Sequence, residues 1–291
     1  MPLRSPKGGR KGGLAGGQRP GGGGAWRHAI LLPVTALTLY PVLWVLRTAF
    51  SPGQGYSLSL NPIPAEPTLE QFRTLLSHPA FARQLANSVI VAGGTTLLGI
   101  FLATTSAYAF SRFRFPGRRA GLLGFLISQM FPGVLMMIPL YILLDTLGLL
   151  DALLGLCLVY ATTAIPFCVW MLKGYFDTIP KDLEEAAIMD GASQFTVFWR
   201  IILPLSRPAI AVTALFSFMT AWNEFILAAT FMNAEESFTL PVVLQRYVGE
   251  YSTEWGHFAA GAVLVSIPVV ALFYALQKHL VGGLTAGAVK G

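Results

Sequence analysis

Four groups of residues have types and spacings that could do more than pack. The first is Glu184-Glu185-Ala186-Ala187-Ile188-Met189-Asp190-Gly191, continued by Ile201, Leu203 and Pro204. Acids here would complement the electropositive start of a helix. Ala186 and Ala187 give a flat, small face, and Gly191 can end the helix in a left-handed conformation. Such a unit can enter a cleft in another protein; it can equally be an ordinary amphipathic linker. The second group, Gln129 and Pro132, puts a polar amide beside a helix break inside an apolar run. That suits the wall of a transport pathway, or a packing kink with Gln129 bonded to a neighbouring helix. In the third, Asn223-Glu224, an acid sits near the end of another apolar run. It could serve a pathway or gate, or tie the chain structurally at the membrane boundary. The fourth, Tyr247, Glu250, Tyr251 and Trp255, with Phe238 nearby, combines aromatics with acids on a polar loop, as a partner-contact surface does.

Other chemistries are missing. The dipeptide Gly-Lys does not occur, so there is no GxxxxGK[ST] phosphate loop, and neither GxSxG nor HExxH is present. Cys157 and Cys168 stand about 16 Å apart along one helix and cannot bridge each other. His28, His78, His257 and His279 show no ligand spacing, so no metal site is expected. The chain does not read as an enzyme. A pathway without a phosphate loop is a channel, a secondary transporter or part of a pump powered by another chain. Secondary transporters usually bury paired ionisable groups near the midplane; here Glu224 is the one candidate well inside an apolar run, and it lies off-centre.

The elements that must hold these groups are apolar. The 291 residues are 54% hydrophobic and 12% charged, about half the charge of a soluble domain. Residues 28–46, 84–111, 120–144, 152–172, 208–223 and 255–277 contain no Asp, Glu, Lys or Arg. A spanning helix needs about 20 mostly apolar residues. Five runs come near or exceed that length, and 208–223 continues apolar past Glu224. The expected fold is all-α and integral to the membrane, with six transmembrane helices. With the N-terminus inside, segments 1–28, 111–119, 173–207 and 278–291 face the cytoplasm and hold 16 of the 20 Lys and Arg. Both termini are then cytoplasmic. The net charge of +6 follows from topology and needs no nucleic acid.

Finer expectations follow. Residues 1–27 form a disordered, basic, Gly-rich cytoplasmic tail that leads into an uncleaved first span. Residues 28–281 form a six-helix transmembrane domain that includes the loop 177–206, and 282–291 a flexible cytoplasmic tail. Gly93-Gly94, Gly99 and Ala103–Ala107 let the second span approach its neighbours closely, so it should be central. Thr68 should cap a short outer helix, with Gln71 at its third position. Gln129 should lie about 13 Å into the third span. In the loop 177–206, Ser193 should cap a second helix holding Phe195, Phe198 and Trp199, which Pro204 stops.

The loop also carries a resemblance. Glu185-Ala186-Ala187, three residues, Gly191, nine residues, Ile201, one residue and Leu203-Pro204 match the EAA signature of ABC-importer permeases at every fixed position. The resemblance covers about residues 28–291. Asn87-Ser88, Gln129–Pro132, Ile138–Tyr141, Trp222–Phe225 and the ending from Gly283 are similar to the carbohydrate branch, and the ending above all to MalG-type maltose permeases. Ala288 stands where glycine is expected, and Trp222-Asn223 looks more like the general sugar-permease form. The resemblance implies a MetI/MalG-type permease fold in a bacterial or archaeal plasma membrane. It implies ATP-driven import of a sugar, namely maltose, maltodextrin or another oligosaccharide, with a permease for a non-sugar solute as the rival. It further implies a second, MalF-like permease, two MalK-like ATPase subunits that bind the ATP and Mg, and an extracytoplasmic sugar-binding protein. Residues Glu184 to Asp190 with Gly191 would then be the coupling helix.

Overall fold

The computed structural model describes residues 23–55, 59–249 and 252–288, with side chains from 26 to 278 within those ranges. Residues 1–22 of the tail expected over 1–27 lie outside them, as do 56–58, Glu250, Tyr251 and 289–291; residues 23–27, expected to be disordered, are helical. Two compact units are distinguished, residues 1–44 and 45–291.

In the first unit lies most of helix α1 (Gly23–Ala49), which contains Pro33 and Pro41. Its described side chains up to Leu43 are largely exposed and apolar. A helix apolar all round suits lipid rather than water.

The second unit is built on three helices: α3 (Phe81–Arg112), α6 (Leu153–Thr178) and α10 (Arg207–Trp222). They pack on one another, and α10 also packs on α13 (Trp255–Ala288). The small residues of α3 explain why it is central. A Cβ at Gly94 would lie 3.0 Å from Cys157 Sγ, and one at Gly99 would lie 3.3 Å from Ser217 Oγ. Both cysteines are free and buried. Two buried apolar clusters mark the ends of the bundle. One contains Val91, Leu156, Tyr160, Trp222 and Phe231; the other contains Ala107, Leu172, Phe176, Val197 and Ile202.

Among the described residues four helices are long and apolar enough to span a membrane, or up to six if two bent pairs each count as one span. The third run is not one kinked helix as expected. It breaks by 98° into α4 (Arg118–Met130) and α5 (Met137–Thr146), joined through Pro132 and a 3-10 turn, Gly133–Met136. Pro132 disfavours helical backbone in the residue before it, and Phe131 and Pro132 are both extended. Nor does the fifth run continue through Glu224. α10 ends at Trp222, and a separate helix α11 (Ile226–Phe231) follows. α13 runs to Ala288, past the expected end of the sixth span, so the ending read as flexible is helical through that residue.

The outer helix α2 (Glu70–Ser77) forms one residue later than expected, with Leu69 at its N-cap and Gln71 as its second residue, while Thr68 Oγ1 accepts the Glu70 N–H at 3.2 Å. Gln71 does not reach back to complete the cap. It is buried and donates to the carbonyls of Ser51 and Gly53, at 3.2 and 2.9 Å.

Candidate functional site

The loop after α6 folds into α7 (Asp182–Met189), α8 (Gln194–Val197), a π turn (Phe198–Ile202) and α9 (Leu203–Leu205). Asp182, Glu184 and Glu185 fill the first turn of α7, at its electropositive end. Gly191 adopts φ +88°. Its N–H donates to Ile188 O, and the Ala192 N–H to Ala187 O, both at 2.9 Å. These two bonds form the Schellman closure, which satisfies carbonyls the helix end would leave bare. Ser193 Oγ then accepts the Thr196 N–H at 3.2 Å and caps α8, as the sequence predicts. Pro204 is not the stop. The helical course continues to Leu205 and turns by 77° at Ser206 into α10.

The residues expected to act as one face divide. Glu185, Ala186, Asp190 and Gly191 are exposed, while Ala187, Ile201, Leu203 and Pro204 are half-buried against the second cluster or beside it. Leu183, Met189, Phe195 and Trp199 extend the exposed face with apolar surface, and Met189 is 87% exposed. Glu184 points the other way. It is buried, pairs with Arg112 at the end of α3, and accepts a hydrogen bond from Tyr108 Oη at 3.1 Å. Nothing local in the sequence separates Glu184 from Glu185. The helical period gives the only hint, since Glu184 lies about 100° around the axis from its neighbour.

A second site lies at the break between α4 and α5. A cavity of about 570 Å³ is lined by Gln129, Phe131, Met136, Thr162, Thr163 and Leu227, among others. Gln129 Nε2 donates to Thr163 O at 3.1 Å, so α4 is tied to α6 across it. Pro166 lies within α6 and has no N–H, so the carbonyl of Thr162, four residues back, lacks its helical donor. Gln129 thus makes the bond to a neighbouring helix that was one of the two roles weighed for it, and it also lines a cavity. Pro132 makes the break without lining the cavity. Thr162 and Thr163 carried no signal in the sequence, because two threonines in an apolar helix are unremarkable until the helices meet.

Asn223 and Glu224 do not join this cavity's lining. Asn223 is exposed and donates to Met219 O at 2.9 Å. The Glu224 carboxylate accepts the N–H groups of Leu227 at 3.0 Å and Ala228 at 3.1 Å, and Tyr160 Oη donates to it at 2.7 Å. It anchors the start of α11 onto α6, and α11 carries Leu227 to the cavity.

The loop expected to face outward with its aromatics is largely folded back. Phe238 is buried, Leu240–Gln245 form α12 against α3 and α13, and Arg246 lies over the Phe238 ring at 4.4 Å. Polar residues of α3 hold the loop's backbone. Asn87 Nδ2 donates to Glu236 O and Phe238 O at 2.7 and 3.0 Å, and Ser88 Oγ accepts the Leu240 N–H at 2.7 Å. Tyr247 is half-buried beside His257, and its phenol is pushed up by burial, then by the Glu254 and Glu235 carboxylates. Trp255, also half-buried, opens α13 and meets Phe258 edge-on. Among the described residues no cluster of His, Cys, Asp or Glu could hold a metal.

Comparison with known proteins agrees with this geometry. Residues 95–285 match the family described as "Binding-protein-dependent transport system inner membrane component". The chain is 39% identical over 268 residues to the galactooligosaccharide transport permease GanQ of Bacillus subtilis, covering 91% of this chain and 94% of that one. It is 39% identical over 282 residues to the maltose/maltodextrin permease MalG of Vibrio parahaemolyticus, covering 91% and 95%. A crystal structure of a bacterial ABC transporter involved in importing the acidic polysaccharide alginate superposes with a TM-score of 0.75 at 25% identity, covering 87% of this chain and 95% of that one. With its helical bundle, its apolar spans and the match over most of its length, the chain belongs to the inner-membrane permease family of binding-protein-dependent ABC transporters.

Proposed function

We propose that this permease imports an oligosaccharide, with α7, the Gly191 turn and α8 as the surface on which a separate ATPase subunit docks. The observation that carries the reading is that turn. A rigid, Schellman-closed helix end presents Glu185, Ala186 and Met189 outward, while its inner side is braced to the bundle. In this reading ATP and Mg bind to two partner ATPases. Their closure draws the docking helices of this chain and of a second permease together, and opens a pathway toward an extracytoplasmic sugar-binding protein. Hydrolysis resets it. Both termini and the loop 177–206 are cytoplasmic.

The sugar assignment is supported by the printed substrates of the relatives: galactooligosaccharides, maltose and maltodextrin. The cavity at Gln129 fits the same reading, because amide and carbonyl groups beside an aromatic ring can meet a hydroxylated solute. We assign it to the pathway, with Pro132 as the break that shapes it. Asn223 and Glu224 border the pathway, and Tyr247, Glu250, Tyr251 and Trp255 contribute to the binding-protein contact.

The test is uptake of labelled oligosaccharide by proteoliposomes holding the complete transporter. Glu185→Arg should lower ATPase capture and ATP-driven uptake together, by at least tenfold. Full uptake in this variant would sink the docking assignment. Gln129→Ala should change the relative uptake of different oligosaccharides while ATPase capture is retained. An unchanged preference would remove Gln129 from the pathway.

A further inference from the structure

We propose that Arg112 and Glu184 are positioning residues that form the joint between the docking helix α7 and the membrane bundle, so that Glu184 transmits motion and does not meet the ATPase. This rests on the docking reading of 177–206 given above. Arg112 stands in the last turn of α3, where a cation suits the electronegative helix end. From α3 its guanidinium reaches both α7 and the segment just before it, and it also bonds its own neighbour on α3. Nε pairs with Glu184 on α7, Nη2 donates to Ile179 O at 3.2 Å just before α7, and Nη1 donates to Ser111 Oγ at 2.9 Å. Tyr108 Oη closes the second Glu184 oxygen. Ser111 Oγ goes on to Asp177 on α6 at 2.6 Å, and Asp177 pairs with Lys173. Arg112 and Glu184 side chains are 8% and 10% exposed, so water screens the pair little.

The surroundings make this pair a joint rather than general packing. α7 packs mainly on α8, and a cavity of about 210 Å³ separates part of it from the end of α3, lined by Tyr108, Arg112, Glu184 and Gln194 among others. Force on α7 therefore reaches α3 through charge-assisted, directional bonds. α3 touches both α6 and α10, so what moves it moves the core. Folding alone does not call for such a pair, because a buried ion pair can often be replaced by apolar side chains without loss of stability.

The experiment uses the complete transporter in proteoliposomes and reads ATPase capture, ATP hydrolysis and sugar moved per ATP. Glu184→Gln and Arg112→Gln should capture the ATPase and hydrolyse ATP within about twofold of wild type, yet move at least tenfold less sugar per ATP. The exchange pair R112E/E184R should regain most of the ratio. The apolar pair R112M/E184M should assemble but stay uncoupled. Unchanged sugar per ATP in the single variants, or full coupling in the apolar pair, would overturn the proposal. So would loss of ATPase capture in the Gln variants, which would make Glu184 a docking or folding residue. Glu185→Arg run alongside keeps the two readings apart, because normal ATPase capture there removes the docking surface whatever the Glu184 variants do.

Discussion

At Gly191 one backbone angle decides whether a helix end can be presented. A Cβ there would meet nothing within 4 Å, so a substitution costs conformation and not space. At φ +88° alanine should cost about 1 kcal/mol of local stability, and asparagine less, because its side chain tolerates left-handed backbone. ATPase capture should therefore weaken in the order Gly, Asn, Ala, Val, measured by titrating the ATPase onto the reconstituted permease. Equal capture by all four would mean that the turn is not part of the docking surface. Gly191 was legible in the sequence because a helix stop is local. The division of labour between Glu184 and Glu185 was not. It depends on Arg112, 72 residues upstream and one of several arginines in the same turn.

Among the elements, α3 shows which features of a helix pair can be read in advance. Its small residues announced close approach, and Gly94 against Cys157 is where that approach is tightest. Gly94→Val should destabilise the bundle by about 1–3 kcal/mol, the usual cost of overpacking. Adding Cys157→Ala should restore part of it, as read by thermal unfolding in detergent; no recovery would place the strain elsewhere. The break at Pro132 was legible as a kink but not as a 98° turn, since the angle depends on α5 packing against α11. The folded-back loop after α11 was hidden for a similar reason, because its backbone is held by side chains of α3 and by Asp151. The Asp151 carboxylate accepts the N–H groups of Asn233 at 2.6 Å and Ala234 at 2.9 Å. Burial raises its pKa, but these N–H bonds and the Asn233 amide outweigh burial and hold it below the ordinary carboxylate value. A lowered native pKa means the tie is fully present above the unfolded value of about 3.9 and is lost as pH falls through the native value. Protease cleavage near 231–237 should therefore rise only below about pH 4, and Asp151→Asn should flatten that dependence. A wild-type profile without the acid rise would show that this carboxylate does not hold the loop.

For the whole molecule, the two sides of the membrane are set by charge and not by packing. The apolar runs announced a multi-pass protein. The basic residues of 111–119 and 173–207 then assign α4's start and the loop carrying α7 to one side, opposite the acidic loops around Asp151 and Glu236. The helix contacts agree in sense: α3 and α6 run parallel, joined by Thr95, midway along α3, to Cys157 near the start of α6, and at their ends by Ser111 to Asp177. Membrane-impermeant maleimide can test the orientation in a chain expressed without its ATPase partner, so that Met189 is not covered by docking, and with the buried Cys157 and Cys168 replaced by alanine. On intact cells, Asn61→Cys and Glu236→Cys should label at once. Arg119→Cys and Met189→Cys should label only after the membrane is opened. Each position is exposed in the chain, so protection of the last two would report the bilayer and not burial. The opposite pattern would put α7 on the side without ATP, and no ATPase could then dock there.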